Sequence, residues 1–344
     1  MKSGKLIAYF SILVILLIFF FLLSLITGPV KIPPTEIIGL LFHKGYAENI
    51  ANTVIFDFRL PKAVTAVLAG SALSVSGLQM QTVFRNPLAG PYVLGISSGA
   101  SLGIALIIMG FGSFLPFHQI NVLGSWIQIM AAWAGSALVL FLILFVSLRV
   151  KDIMTILILG ILFGSAASAI VSILQYFSQQ TMLKSFVIWS MGSLGSLSRE
   201  QLWVLIPCIV TGLLLAFLTS KSLNALLIGE NYARSLGVNI RFSRISVFFS
   251  TSILAGSITA FCGPIGFIGI AVPHLVRNIF RTSDHRILIP GCLIFGAVVL
   301  LISDLLSQLP SGDIILPINS VTALLGIPIV IWLVIKNRKL TVIH

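Results

Sequence analysis

Acidic side chains are scarce: nine Asp and Glu stand among 344 residues, and charged residues of both signs make up only 9%. A soluble domain carries roughly 25% charge, so this chain is not an ordinary water-solvated globule. Carboxylates are retained at membrane depth for tasks such as proton relay or ion binding. Here Asp57, Asp152 and Asp284 fall at the edges of apolar runs, and Asp304 lies near the end of one. An ion-coupled carrier has little to work with. Cysteine is equally thin. Cys208, Cys262 and Cys292 sit in apolar segments without CxxC spacing, which indicates neither a disulfide framework nor a metal site and suits small packing residues. No GxxxxGK[ST] phosphate loop occurs, so ATP hydrolysis would need a separate subunit. No HExxH motif, paired catalytic carboxylates or Ser/His/Asp set stands out, which makes an intramembrane enzyme a poor second reading. No cofactor is called for.

What is present is apolar length. Hydrophobic residues reach 58%, with runs at 6–27, 63–82, 93–111, 120–148, 153–177, 201–219, 243–262, 265–281, 287–306 and 320–336. Crossing a bilayer as a helix takes about 20 residues. The expectation is an all-α polytopic membrane protein with about ten transmembrane helices, forming a single permease domain over 1–344. The first run follows Lys2 and Lys5 and is too long for a signal-peptide core, so it reads as a retained span.

The net charge of +12 could suggest nucleic acid, but a nucleic-acid footprint belongs on one soluble face. These charges instead sit between spans. With both termini cytoplasmic, the inside collects Lys2, Lys5, Arg85, Arg149, Lys151, Lys221, Arg234, Arg241, Arg244, Arg277, Arg281, Arg286, Lys336, Arg338 and Lys339. That is 15 of the 21 basic residues, against six outside: Lys31, Lys44, Arg59, Lys62, Lys184 and Arg199. The positive-inside bias supports an even count of ten.

The bias also places Ser220–Arg244 in the cytoplasm. Leu223–Ile228 reads as helical, Gly229-Glu230-Asn231 breaks it, Tyr232–Leu236 adds a turn or two, and Gly237 supplies a left-handed stop. Two short cytoplasmic helices result, on a segment longer than the about 2–8 residues that a plain connection needs. The extra length asks for a partner. Outside, Pro29–Lys62 and Gln175–Arg199 read as structured segments, the second with an interfacial helix anchored by Trp189.

Irregular backbone is expected at Asn86-Pro87, Gly90-Pro91, Gly263-Pro264, Pro273 and Pro317, and such backbone at depth is tolerated where protein or a cavity surrounds it. Gly99 and Gly103 have GxxxG spacing, which favours close helix packing. Gln79, Gln81 and Ser98 are candidates to line a path, or else to bond neighbouring helices. His274 and Arg277 read as a snorkelling pair reaching lipid headgroups or a partner subunit. Leu68-Ala69-Gly70-Ser71 with Gly77 is echoed by Leu254-Ala255-Gly256-Ser257 with Gly263, a hint of two related halves.

Separated motifs carry a resemblance. Arg59-Leu60-Pro61, Ser76-Gly77-Leu78-Gln79-Met80-Gln81, Arg85-Asn86-Pro87-Leu88-Ala89 and Leu94-Gly95-Ile96-Ser97-Ser98-Gly99-Ala100 resemble the FecCD family of ABC importer permeases. So do Gly229-Glu230, Ala233-Arg234, Leu236-Gly237, Gly263–Gly269, Pro273-His274, Arg277, Asp284-His285-Arg286 and Pro290-Gly291. The likeness covers essentially the whole chain. It implies import of a ferric siderophore-type iron chelate, with vitamin B12 or haem as alternative cargo, across a bacterial plasma membrane. The implied partners are a second permease chain, most simply in a homodimer, two ABC ATPase subunits, an extracytoplasmic binding protein and membrane lipid, with no nucleic acid. It assigns ATPase coupling to Leu226, Gly229, Glu230, Ala233, Arg234, Leu236 and Gly237, and binding-protein docking to Arg59, with Lys62 as a substitute charge. The cytoplasmic gate and pathway take Asn86, Pro87, Leu88, Met154 and Thr155 beside Gln79 and Ser98. This chain departs from the family at Gln308, where relatives often carry arginine, and at Ile315–Asn319, where they have a Glu-Leu-Pro-x-Gly turn.

Overall fold

The structure, a computed structural model, describes residues 3–42, 50–110, 121–147, 149–150, 152–309 and 315–341. Lys2, Lys44 and Lys151 lie outside the described residues, as do the side chains of Lys336, Arg338 and Lys339. Every regular element among the described residues is helical. The order is α1 (Ser3–Ile26), α2 (Pro34–Phe42) and α3 (Ile50–Thr53), which runs through a π-helical turn, Val54–Arg59, into α4 (Leu60–Val83). Next come α5 (Ile96–Ala105), α6 (Asn121–Ser147), α7 (Ile153–Phe177), α8 (Gln180–Ser190) and α9 (Arg199–Leu218). Then follow α10 (Ser220–Ile228), α11 (Glu230–Ser235), α12 (Ile240–Cys262), α13 (Ile268–Phe280), α14 (His285–Ser307) and α15 (Ile318–Thr341).

Each apolar run corresponds to one helix: α1, α4, α5, α6, α7, α9, α12, α13, α14 and α15. Seven of these are long and apolar enough to cross a membrane, while the apolar helices Ile96–Gly110, Ile268–Phe280 and Ile318–Trp332 are shorter. The physical reason for two of the short ones lies in the chain before them. α5 and α13 begin after irregular stretches, Phe84–Gly95 and Gly263–Phe267, that already occupy part of the depth. Those stretches are satisfied inside protein, as backbone at membrane depth must be. The Gly266 N–H donates to Asn319 Oδ1 at 2.9 Å, the Ile265 N–H to the Tyr92 hydroxyl at 3.3 Å, and the Ser193 N–H to the Cys262 carbonyl at 2.7 Å.

α4 is the central post. Its span is 83% buried, against 6% for α1 at the periphery. In hydrocarbon there is no hydrophobic drive between helices, so close packing and interhelical hydrogen bonds must hold them. Gly70 lies against the Gly296 backbone and Gly77 against that of Gly269, leaving no room for a side chain at either position. The Ser71 hydroxyl donates to the Leu293 carbonyl at 2.9 Å and that of Ser74 to the Cys292 carbonyl at 2.7 Å. The GxxxG pair acts likewise, with Gly99 against Gly135 and Gly103 against Ala131 on α6.

The two ends of the bundle sort as the charge bias requires. Arg59 meets Leu25, Lys62 meets Asp304, and Arg199 lies 3.6 Å from Asp57 at one end. Arg85, Asn224, Asp284 and the Glu230–Arg244 pair gather at the other. The external segments are helical in part, through α2, α3 and α8, and Trp189 on α8 packs against the core. Two expectations shift. The second run extends outward into one continuous helical stretch, Ile50–Val83. The repeated quadruplets do not share an environment: Gly77 is a mid-helix contact, whereas Gly263 ends α12 at φ 74°.

That difference is testable. Gly77→Val should lower stability by about 1–3 kcal/mol or more, the usual cost of overpacking. Gly256→Ala should stay within about 0.5 kcal/mol of wild type, because a Cβ there meets nothing nearer than 3.7 Å. Thermal unfolding in detergent reads both.

Candidate functional site

The cytoplasmic pair α10–α11 is folded into the bundle, not hung beneath it. Leu223, Leu226 and Ala233 are buried in one cluster with Phe84, Ile240, Val247 and Phe248. Gly229 takes φ 132° between the two helices and Gly237 takes φ 80° after the second, conformations that disfavour side chains. Behind them, the Glu230 carboxylate pairs with the Arg244 guanidinium on α12. Arg85 Nη2 donates to the Leu226 carbonyl at 3.3 Å. The exposed surface is mixed: Ile228 at 65%, Tyr232 at 52% and Leu236 at 58% stand out beside the exposed Lys221, Asn231, Arg234, Ser235 and Asn239. Of the expected coupling residues, Leu226 and Ala233 therefore position the pair, while Arg234 and Leu236 face outward.

A hydrogen-bond relay ties α10 to two spans. Asn224 Nδ2 donates to Asp284 Oδ1 at 2.6 Å, and an ionised carboxylate only accepts, so the amide orientation is set. Its Oδ1 then accepts from the His285 backbone N–H at 2.8 Å and from His285 Nδ1 at 2.7 Å. Nδ1 must carry the proton, and Nε2 lies 2.8 Å from the Thr82 hydroxyl, which also reaches the Leu78 carbonyl at 2.9 Å. One imidazole, fully buried, thereby joins α10, α14 and α4. Asp284 caps α14 through the Arg286 N–H, which holds its carboxyl below the usual carboxylate range; Asn224 adds to the effect.

The expected gate segment is an anchored turn. Leu88 N–H donates to Asn86 Oδ1 at 2.9 Å, while Pro87 and Leu88 stay exposed. His274 Nε2 donates to the Pro87 carbonyl at 2.7 Å, and Arg277 Nη1 donates to Gln81 Oε1 at 2.5 Å. The snorkelling reading of His274 and Arg277 is thus corrected: both bond to protein, because the α4–α13 seam offers acceptors within reach. At the start of α7, Asp152 caps the helix by accepting from Thr155 N–H at 2.8 Å and its hydroxyl at 2.6 Å. These bonds, the hydroxyl's first, keep the Asp152 carboxyl below its ordinary value. Met154 is exposed beside them and Ser98 is half-buried. Gln79 departs from its expected place on a pathway. It is fully buried, its Oε1 accepting from Ser250 and Thr251 at 3.2 Å each, and it binds α4 to α12.

This architecture has close parallels. The FecCD transport family profile matches residues 16–336. The chain belongs to the FecCD transport family. It is 37% identical to the vitamin B12 import system permease protein BtuC of Klebsiella pneumoniae over 95% of this chain and 93% of that protein. The hemin transport system permease protein HmuU of Yersinia pestis is 38% identical over 82% of this chain and 83% of its own length. A solved structure described as an inward-facing metal-chelate type ABC transporter superposes with a TM-score of 0.81, at 29% identity, over 94% of this chain and 97% of the other. The FecCD chain is therefore the multi-pass permease subunit of a bacterial ABC importer, itself not an enzyme, working with separate ATPase and binding-protein subunits.

At the outer end of this FecCD permease, the two cations expected to face a docking partner are turned inward. Arg59 is buried, and its guanidinium donates to the carbonyls of Leu25 at 2.8 Å, Ile26 at 2.9 Å and Val30. It caps the carbonyl end of α1, where a cation is favoured. Lys62 lies 2.9 Å from Asp304, which also accepts from Gln308 Nε2 at 3.0 Å. Asp304 thus has its cation in Lys62. Sequence reading gave His285 only as part of a family motif, with no role, and missed Asn224 and Thr82. The available signals were Asp284-His285 at a helix start and the one polar side chain, Asn224, within Leu223–Ile228.

Asn224→Ala strands the His285 donors and should cost about 1–3 kcal/mol, read as a lower unfolding temperature. The pH dependence has a sign. Asp284's pKa is depressed on folding, so its contribution is present above about 3.9, the ordinary value, and is lost as pH falls through the folded one. The gap in unfolding temperature between wild type and Asp284→Asn should be constant from pH 5 to 8 and should close on further acidification.

Proposed function

We propose that this FecCD permease imports a ferric siderophore-type chelate as one half of a homodimer, driven by ATPases that dock on α10 and α11. The observation that carries the coupling reading is the exposure of Ile228, Tyr232 and Leu236, large apolar side chains among polar and basic ones, on a backbone held by two positive-φ glycines and a buried core. Rigid packed elements transmit a displacement, which a loose loop would absorb. α7 supports a pathway at a dimer axis. Its exposed face carries Ser165, Ser168 and Ser172 between Met154 and Tyr176, a mixed surface better suited to a polar conduit than to lipid alone. Asp152 and Thr155 stand at the inner end of that face.

For the cargo, the support is the shared chemistry of the relatives' names. Vitamin B12, hemin and a metal chelate are all bulky, metal-centred ligand complexes. B12 or haem import by the same route is the second reading, favoured by those same names. On the outer face, Arg59 would engage a binding protein only by leaving its three carbonyls, and Lys62 only by leaving Asp304.

Uptake of labelled ferric siderophore, cobalamin and haem, compared in cells with and without the gene, tests the reading. Loss of the siderophore signal alone supports it; loss of cobalamin or haem uptake instead names the other cargo. In rescue, Gly237→Pro should fail, since proline's φ near −65° cannot reach the native conformation, while Gly237→Asn, tolerant of positive φ, should restore uptake. Normal uptake with Gly237→Pro would overturn the coupling role.

A further inference from the structure

α4 ends in a Schellman turn. The Asn86 N–H donates to the Gln81 carbonyl at 3.2 Å and the Arg85 N–H to the Thr82 carbonyl at 3.3 Å, the two bonds that define the motif. The left-handed residue of such a turn is ordinarily glycine; here it is Arg85, at φ 48°. Strain of this kind does not by itself single Arg85 out, because Arg281 ends α13 at φ 47°. The two side chains differ. Among the described residues Arg281 makes no hydrogen bond or ion pair, whereas Arg85 Nη2 donates to the Leu226 carbonyl at 3.3 Å.

Leu226 lies in the last turn of α10, where carbonyls lack helical partners and a cation is favoured. The same carbonyl accepts from the Gly229 N–H at 3.3 Å, and Arg85 Nη2 stands 3.9 Å from where a Cβ on Gly229 would be. The guanidinium therefore sits at the break between α10 and α11. On the backbone side, Arg85 leads straight into Asn86, Pro87 and Leu88. α13 holds that turn through His274 on the Pro87 carbonyl at 2.7 Å. The Asn224–His285 relay reaches α4 at Thr82, still within the helix. Arg85 instead joins the coupling pair directly to the turn beyond it.

We propose that Arg85 is a positioning residue for transport: it ties the Asn86–Leu88 turn to α10, so that the turn moves with the coupling pair. This rests on reading α10 and α11 as the ATPase site and Asn86–Leu88 as part of the inner gate. A glycine at this position would suit the backbone better, yet it would carry nothing across to α10. The turn would then be held by α13 and the end of α4 alone. Fold and function thus ask for different residues at 85, which separates a positioning role from a structural one.

The test places spin labels at the exposed Leu88 and Tyr232 in the permease assembled with its ATPase, with and without nucleotide. One narrow distance within the chain is expected in both states. Arg85→Gly should raise the population of displaced turn about three- to tenfold, the scale of one hydrogen bond. The distance from Tyr232 to Arg286 should stay narrow in that variant, and the unfolding temperature should hold or rise as the left-handed strain is relieved. Arg281→Gly should hold or raise the unfolding temperature too, and leave the Leu88–Tyr232 distance narrow. A narrow Leu88–Tyr232 distance in Arg85→Gly would overturn the proposal with the coupling reading intact. So would loosening in both glycine variants, which would trace the effect to basic charge at this surface, or a lower unfolding temperature with both distances broadened in Arg85→Gly, which would make the residue structural. Tyr232 labels on two chains that do not shift with nucleotide would instead remove the coupling reading, and the proposal with it.

Discussion

The contact on which this permease depends is the close approach of α4 to α13 and α14, where Gly70 meets Gly296 and Gly77 meets Gly269 with no side chain between. In a bilayer such contacts substitute for the hydrophobic effect. Backbone proximity brings Ser71 and Ser74 onto carbonyls of α14 and sets Gln81 beside Arg277. It also lets His285 lodge against Thr82 at the inner end. Widening this seam by one methyl group would disturb the post, the gate anchor and the coupling relay together.

That relay ties the cytoplasmic pair, the proposed docking site of the ATPases, to the membrane bundle. α10 and α11 are short, and isolated helices of that length are marginal, so their shape comes from tertiary contacts: the buried Leu223 and Ala233, the Glu230–Arg244 pair and the Asn224 relay. Each contact leads to a different span, α4, α12 or α14. A push on Tyr232 would thus be shared among three spans at once. The outer end is held by charge in a comparable way, through Arg59 on α1 and Lys62 on Asp304. Removing one partner of such a buried pair is strongly destabilising, although the pair itself adds little net stability.

Much of the fold was legible in the sequence because its signals are local. Runs of bilayer length, the segregation of Lys and Arg, and the glycines at 229 and 237 can each be read without knowing which residue packs against which. What was not legible depends on partners far along the chain. Lys62 shows its charge, but not that Asp304, over 200 residues on, will neutralise it. Gln79 and Gln81 show polarity, but whether they face a conduit or a neighbouring helix is decided by α12 and α13. Gly70 and Gly256 sit in identical quadruplets, and packing gives one no space and the other slack. The resemblance named candidate stretches; geometry divided their residues into those that build and those that face outward.

The central claim is that the coupling pair moves as one body with the bundle. Spin labels at the exposed Tyr232 and Arg286, in the permease assembled with its ATPase, would measure the distance from α11 to the start of α14 with and without nucleotide. The account predicts a narrow distribution that is unchanged by nucleotide, while the distance between Tyr232 labels on two chains shifts. A nucleotide-dependent change or broadening within one chain would contradict it, since the force would then be absorbed in the loop before it reached the spans.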